Sequence, residues 1–325
     1  MTKDSQNTVP AVSKNEDRYY LFIVNPHAGR KHMKNLAEII DQAFLKHDMP
    51  DSYGIVMTDR GGNAIELASA FADKYGERGI VVACGGDGTI NEVAQALYGS
   101  KTALAALPIG TANDFVKTVY PGKTLEQILE GLFEPLIRRI DCFYVDDRIC
   151  VNIMSLGFDT KVQKAAGKIL SRHRWLGSAS YPFAIVKSLF GTRDYDMHYK
   201  FTAIDDDGNE TEVEASSKYI LAAVCNARYY GGGYNPAPAA SIEDGLLDLC
   251  LVDSLSLVKI LGLIGKYKQG QHLGHPAIHY YRVRSGEAVA EGTSLLLGNI
   301  DGEQFEKDRL SFEIRPSALD FVFIK

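Results

Sequence analysis

"IVVACGGDGTINEV", residues 80–93, runs from an apolar strand through three glycines into an amphipathic stretch. A strand, a glycine turn and a helix are the repeating parts of a parallel α/β sheet. Gly85, Gly86 and Gly88 bare backbone N–H groups at a helix N-terminus, an arrangement that receives an anion. Thr89 and Glu92 have capping-box spacing, which places the helix start at Thr89, and Ile90, Val93, Ala94 and Leu97 form its buried face. In the middle of the turn sits Asp87, which would repel phosphate unless a cation lay between them. Mg²⁺ is typically held by one or two carboxylates together with substrate phosphates, so Asp87 is a candidate to hold magnesium through water.

The same alternation extends on both sides. "YYLFIVNPHAG" is a buried strand ended by Asn25-Pro26, and the helix after it carries Leu36, Ile39, Ile40 and Phe44 on one face. Strand 52–58, helix 63–76, strand 102–110 and helix 125–133 complete a run of βαβ units. After about residue 140 the pattern changes to period-two strands, with a hairpin at "DDDG" and one helical segment at about 160–190. The expected fold is an α/β nucleotide-binding domain with a parallel sheet, 18–140, followed by a mostly antiparallel β-sandwich domain, 141–310. Residues 1–17 read as a disordered tail, and a return of the last strand, about 311–325, to the first domain stays open.

Composition narrows the classes. With 46% hydrophobic and 23% charged residues the chain reads as an ordinary globular protein, and a net charge of −6 argues against a nucleic-acid partner. Cys84, Cys142, Cys150, Cys225 and Cys250 form no C-x-x-C pair and read as core thiols in a reducing compartment. The polar N-terminus and the lack of a long apolar run imply a cytoplasmic protein whose membrane contact is peripheral.

Other phosphate loops fit poorly. The turn has no G-x-G-x-x-G, the protein-kinase set is absent, and "YPGKT" (120–124) has Lys117 where a Walker A loop needs glycine, leaving a helix-start loop. His272, His275 and His279 have helical spacing, yet Pro276 breaks that helix and no cysteine or acid lies among them, so zinc is rejected.

"GGDGTINEV" resembles the phosphate-binding signature of the diacylglycerol kinase catalytic family, which includes bacterial lipid kinases and sphingosine kinases. "IVNPHAG" is similar to the family's N-P-x-x-G nucleotide loop, "LPIGTANDF" to its G-T-x-N-D-F element, and "YYGGGYNPAPAASIEDGLLDL" to a long signature of its second domain. "GQHLGHPAIHYYRV" and "NIDGE" follow in the same order, so the likeness runs from about residue 20 to the C-terminus. It implies a two-domain lipid kinase that uses ATP and Mg²⁺ to phosphorylate a lipid alcohol, diacylglycerol first. Sphingoid bases or other lipids, an NAD kinase-like enzyme and a non-catalytic lipid-binding regulator are the alternatives.

The resemblance also assigns roles. ATP would meet Asn25, Pro26, His27, Ala28, Gly29 and Thr58, the turn Gly85, Gly86, Asp87, Gly88, Thr89, Ile90, Asn91 and Glu92, and Thr111. Glu303 is the first choice of general base with Asp301 beside it; in an extended segment the two would point to one side. "SIEDGLLDL" (241–249) looks like a metal loop with Asp244 as side-chain ligand and the carbonyls of Ser241 and Leu246, while Asp141 would join Asp87 and Asp244 through water.

Two further features bear on the acceptor. Lys161, Lys164, Lys168 and Arg172, followed by "RHRW" (172–175), form a basic helical face ending in the only tryptophan, a candidate contact for anionic phospholipid. Phe158, Leu176, Tyr181, Phe183 and Tyr229 are candidates to line a lipid pocket, against the blander fate of core packing. A second copy of the chain stays an open partner, since dimers occur in similar proteins.

Overall fold

The computed structural model describes residues 18–29, 35–173, 175–176, 180–189, 191, 194–292 and 295–325. The expected tail, 1–17, and Arg174 of the basic run lie outside them.

The first part alternates β1 (Tyr19–Val24), α1 (Leu36–Lys46), β2 (Tyr53–Met57), α2 (Asn63–Tyr75), β3 (Gly79–Gly85), α3 (Asp87–Leu97) and β4 (Ala103–Pro108). The four strands are parallel in the order β2-β1-β3-β4. Strand β3 is buried along its whole length, which is why Ile80–Cys84 shows no polar alternation: helices cover both faces of a parallel sheet. The chain leaves β1 toward β2 on one side and β3 toward β4 on the other. The crevice at the carboxyl ends of β1 and β3 is therefore the topological switch point, where open α/β sheets bind ligands. Two short helices follow, α4 (Asp114–Val119) and α5 (Leu125–Gly131), and "YPGKT" is a helix start in which Thr124 and Gln127 form a capping box on α5.

The second part contains β5 (Leu136–Val145), β6 (Arg148–Cys150), β7 (Ile153–Gly157), α6 (Phe158–Arg172), α7 (Ser180–Ser188), β8 (Tyr195–Ile204), β9 (Glu210–Cys225), β10 (Leu247–Asp253), α8 (Leu257–Lys268), β11 (Ile278–Ala290), β12 (Leu296–Ile300), β13 (Glu303–Lys307) and β14 (Arg309–Phe323). Its strands pair antiparallel. Side-chain alternation along β9 and β10 separates two cores. Ala222, Val224, Leu249 and Leu251 pack between the sandwich layers with Met197, Tyr199, Phe201 and Phe312. Leu221, Ala223, Cys225, Cys250 and Val252 point the other way, under a helical layer of α6, α7 and α8. Strand β14 pairs antiparallel with β11 and β5 and places Phe321 opposite Leu104 of parallel β4, so one strand hydrogen-bonds in both halves of the molecule.

Five expectations change. The helical segment at 160–190 is two helices, α6 and α7, and α8 is a further helix inside a region that reads as strands. "AIHYYRVRS" and "EAVAEG", which alternate like two separate strands, form the single strand β11, and "DRLSFEIRP" and "LDFVFIK" likewise form the single strand β14. Helix α3 begins at Asp87, two residues before Thr89: Gly86 is its N-cap, and the Gly86 carbonyl already accepts from the N–H of Thr89 and Ile90. Thr89 is thus inside the first turn, and no side chain caps the helix.

Candidate functional site

Three loops meet at the switch point. After β1, Asn25 starts a tight turn in which its Oδ1 accepts from His27 N at 2.9 Å and its carbonyl from Ala28 N at 3.1 Å; Pro26 and Gly29 complete it. Asn25 N donates to the Cys84 carbonyl and Asn25 Nδ2 to Thr89 Oγ1 at 3.2 Å, tying this loop to the glycine turn. Gly110 N donates to the Gly85 carbonyl at 3.0 Å, which brings in the loop after β4 with the exposed Thr111. Thr58, at the end of β2, is buried and donates its N–H to Val24. Of the first turn of α3, the N–H groups of Asp87 and Gly88 have no helical acceptor, since those of Thr89 and Ile90 go to the Gly86 carbonyl; a helix start with free N–H groups suits a phosphate. Ile90 packs in the core, and Asn91 spends its amide on the Ile149 carbonyl and on Asp301, so both side chains are engaged within the protein. Glu92 lies one turn further along α3.

Asp87 Oδ1 accepts from Phe115 N at 2.9 Å and its Oδ2 from Asp114 N at 3.1 Å. Burial, with the neighbouring Asp114 charge, still pushes its carboxyl up to about 6. Asp114 Oδ1 accepts from Lys117 Nζ at 2.6 Å and its Oδ2 from Gly232 N at 2.8 Å, linking α4 to the glycine run of the second part.

Asp301 and Glu303 are not side by side. Asp301-Gly302 is the two-residue turn between β12 and β13, with φ of 46° and 99°, so the chain reverses between the two acids instead of extending. Asp301 is buried and accepts from the N–H groups of Val151, Asn152 and Ile153, from Asn91 Nδ2 at 2.6 Å and from the Cys150 thiol. Burial raises its carboxyl from the ordinary value against those donors. Glu303 is exposed and pairs with Arg148 at 2.6 Å.

The metal loop lies elsewhere. Asp244 Oδ1 accepts from Leu246 N, and its Oδ2 lies 2.8 Å from Arg282 Nη2. Asp141 is buried next to it and accepts from Ser317 N and Gly245 N, both at 2.7 Å. The Ser241 hydroxyl accepts from Glu243 N. Asp141 and Asp244 are neighbours, whereas the carboxylates beside Asp87 are Asp114 and Asp301. Asn226 connects the two groups by donating to the carbonyls of Asp141 and of Val151, whose N–H binds Asp301. Asp244, the one side-chain ligand expected in this loop, is paired with the Arg282 guanidinium. Among the described residues no three His, Cys, Asp or Glu side chains could share one ion. A magnesium ion at Asp87 fits only if nucleotide phosphates and water supply most of its oxygens, which is how Mg²⁺ commonly binds.

A cavity opens beside Asp87. Phe158, Val162, Ile185, Leu221 and Ile264 give it apolar walls, Tyr181, Tyr230, Tyr234 and Tyr267 line it, and Asp87, Asp114 and Asp301 stand at one end. Asp159 also lines it; its Oδ1 accepts from Thr160 N at 2.8 Å, the Ser155 and Tyr230 hydroxyls stand beside the carboxyl, and burial still pushes it up to about 7. Of the residues expected in a lipid pocket, Phe158 and Tyr181 are here, Phe183 faces outward, and Leu176 and Tyr229 are not on the wall. Asp114, Asp159 and Tyr230 were not singled out by the sequence reading. The strand–glycine–helix junction "SLGFDT" at Asp159 repeats the pattern of the glycine turn and could have flagged it.

Residues 19–145 match the diacylglycerol kinase catalytic domain, and residues 152–323 match the YegS C-terminal NAD kinase beta sandwich-like domain. The chain belongs to the YegS-like lipid kinase family. "Probable lipid kinase YegS-like" from Pseudomonas aeruginosa (strain UCBPP-PA14) is 31% identical over 259 residues, 78% of this chain and 77% of that protein. The family member of the same name from Shewanella frigidimarina is 28% identical over 261 residues, 79% of each chain. A crystal structure described as a diacylglycerol kinase from Bacillus anthracis str. Sterne superposes with a TM-score of 0.68 at 20% identity, over 95% of this chain and 98% of that one, and so shares the two-part fold. The five cysteines are all free and buried. No helix of the described residues is long and apolar enough to cross a membrane.

Proposed function

We propose that the protein transfers the γ-phosphoryl group of ATP to the hydroxyl of a membrane lipid, with diacylglycerol as acceptor and phosphatidic acid as product. The observation that carries this reading is the apolar cavity ending at Asp87. It sets a lipid-compatible wall against the N-terminus of α3, where phosphates bind, so acceptor and donor would meet at one carboxylate. The helix N-terminus and the loop 25–29 cradle the nucleotide phosphates. A magnesium ion held by the nucleotide phosphates and water beside Asp87 would supply charge neutralisation on the transferring group.

Asp87 is assigned as the base in place of Glu303. Its carboxyl is at the cavity end, and a value of about 6 leaves it ionised but still basic near neutral pH. Asp301 is committed to five donors and acts as a positioning residue. Asp159, which lines the same cavity, is placed to meet a polar group of the lipid.

The test is incubation with γ-labelled ATP, Mg²⁺ and extracted membrane lipids, with NAD in a parallel reaction, resolved by thin-layer chromatography. Label in a lipid co-migrating with phosphatidic acid is expected. Label in another lipid reassigns the acceptor, a sphingoid base included, and label only in NADP overturns the lipid reading.

A further inference from the structure

The helices that wall the cavity have a second face. On α7, Tyr181 and Ile185 line the cavity, while Phe183 and Val186 point away and are 60% and 56% exposed. On α8, Ile264 and Tyr267 line it, while Val258 and Leu261 are 80% and 53% exposed. Trp175, in the connection between α6 and α7, is 79% exposed. The inner faces of all three helices pack on one core against β7, β9 and β10, so their outer faces look to the same side of the molecule.

The charges on this layer have one sign. Helices α7 and α8 contain no acid, and the single acid of α6, Asp159, is turned into the cavity. Outward positions carry Lys164, Lys168 and Arg172 on α6, Lys187 on α7, and Lys259 and Lys266 on α8. None of these six has a carboxylate within ion-pair distance among the described residues. In a chain of net charge −6, a surface of unpaired cations around exposed aromatic and aliphatic side chains is a selective arrangement. Scattered apolar exposure is ordinary; apolar side chains gathered on helices with a wholly basic rim fit an interface with anionic lipid.

We propose that the outer face of α6, α7 and α8 docks on an anionic bilayer, with Phe183, Val186, Val258, Leu261 and Trp175 entering the headgroup region and the lysines set against lipid phosphates. The basic segment expected at 161–175 is one edge of this surface, and α7 and α8 supply its apolar part. Docking puts the cavity walls directly against the membrane that holds the acceptor, a benefit that rests on the lipid-kinase reading; the surface itself does not depend on it.

Trp175 is the only tryptophan, so its fluorescence reports on this surface without any assay of activity. The full chain is mixed with vesicles of phosphatidylcholine, or of phosphatidylcholine and phosphatidylglycerol, some carrying brominated acyl chains. The emission is expected to shift to the blue and be quenched by brominated lipid only when phosphatidylglycerol is present, and to recover at high salt. The variant Lys164→Gln/Lys168→Gln/Lys187→Gln should lose roughly fivefold in partitioning per charge removed, and Phe183→Ser/Val258→Ser should lose quenching. Circular dichroism matching the wild type verifies that both variants are folded. Unchanged emission with no co-flotation overturns the proposal. So does an emission shift that follows protein concentration without vesicles, which would make this face a contact between copies of the chain. Lipid phosphorylation in detergent with no vesicle binding refutes docking alone; vesicle binding with no phosphorylation of any lipid refutes the kinase reading alone.

Discussion

Asp301 is buried at the turn between β12 and β13, and its hydrogen bonds tie three segments of the chain together. Its carboxylate satisfies three consecutive backbone N–H groups, at Val151, Asn152 and Ile153, where the chain passes from β6 to β7, and it grips Asn91 of α3 at the same time. Removing an acceptor from buried donors costs about 1–3 kcal/mol for each group left unpaired. Asp301→Ala should therefore lower the urea midpoint sharply, with loss of activity following loss of fold; an unfolding curve like the wild type's would refute this role. Burial also pushes Asp87, Asp159 and Asp248 up to about 6, 7 and 6. In each case the folded protein holds a proton that the unfolded chain releases near pH 4, so the stabilisation is complete below about pH 4 and is lost as pH rises through about 6–7. The thermal midpoint should fall between about pH 4 and pH 7, and Asp159→Asn should recover part of that fall. A wild-type midpoint that rises over the same interval would contradict the assignment.

At the scale of elements, the glycine turn is held by contact with its neighbours as much as by its own sequence. A Cβ on Gly110 would collide with the Gly86 Cα and lie 2.8 Å from Gly86 N, whereas a Cβ on Gly88 would meet nothing within 4 Å. Gly110→Ala should cost about 1–3 kcal/mol in urea unfolding, as overpacking does. Gly88→Ala should leave stability unchanged and weaken ATP binding, measured by calorimetry, because the open space beside it is where phosphate approaches. Equal stability loss in both would mean the turn is only structural. The βαβ order was legible because apolar strands and amphipathic helices differ in period. Helix α8 was not: its Ile260, Leu263 and Tyr267 stripe is masked by Val258, Leu261 and Ile264 on the other faces, with Gly262 and Gly265 breaking the helical texture. Those extra apolar residues are the cavity wall and the exposed surface, so what hid the helix is what gives it a use. The D-G turn at Asp301 was legible as a turn, but its inward tilt toward β6 and β7 depends on contacts far away in sequence.

At the scale of the molecule, two parts are joined by hydrogen bonds in which each supplies what the other lacks. The α/β part brings the glycine turn and the N-terminus of α3, the β-rich part brings most of the apolar cavity, and Asp87 stands where they meet. Strand β14 pairs in both, and Asp114 and Asn91 bond across the junction to Gly232 and Asp301. The family's motif order announced both parts, and the Asp301 of "NIDGE" does line the cavity, but that Asp87 and Asp114 join it there while Glu303 turns outward depends on this junction. The most direct test is the initial rate of lipid phosphorylation by wild type, Asp87→Asn and Glu303→Gln, with Mg²⁺ and ATP saturating and folding verified by circular dichroism. Loss of the base should cost Asp87→Asn about 10²–10⁴-fold, while Glu303→Gln, losing only an exposed pair with Arg148, stays near the wild-type rate. A near-normal rate for Asp87→Asn with collapse of Glu303→Gln would contradict the account.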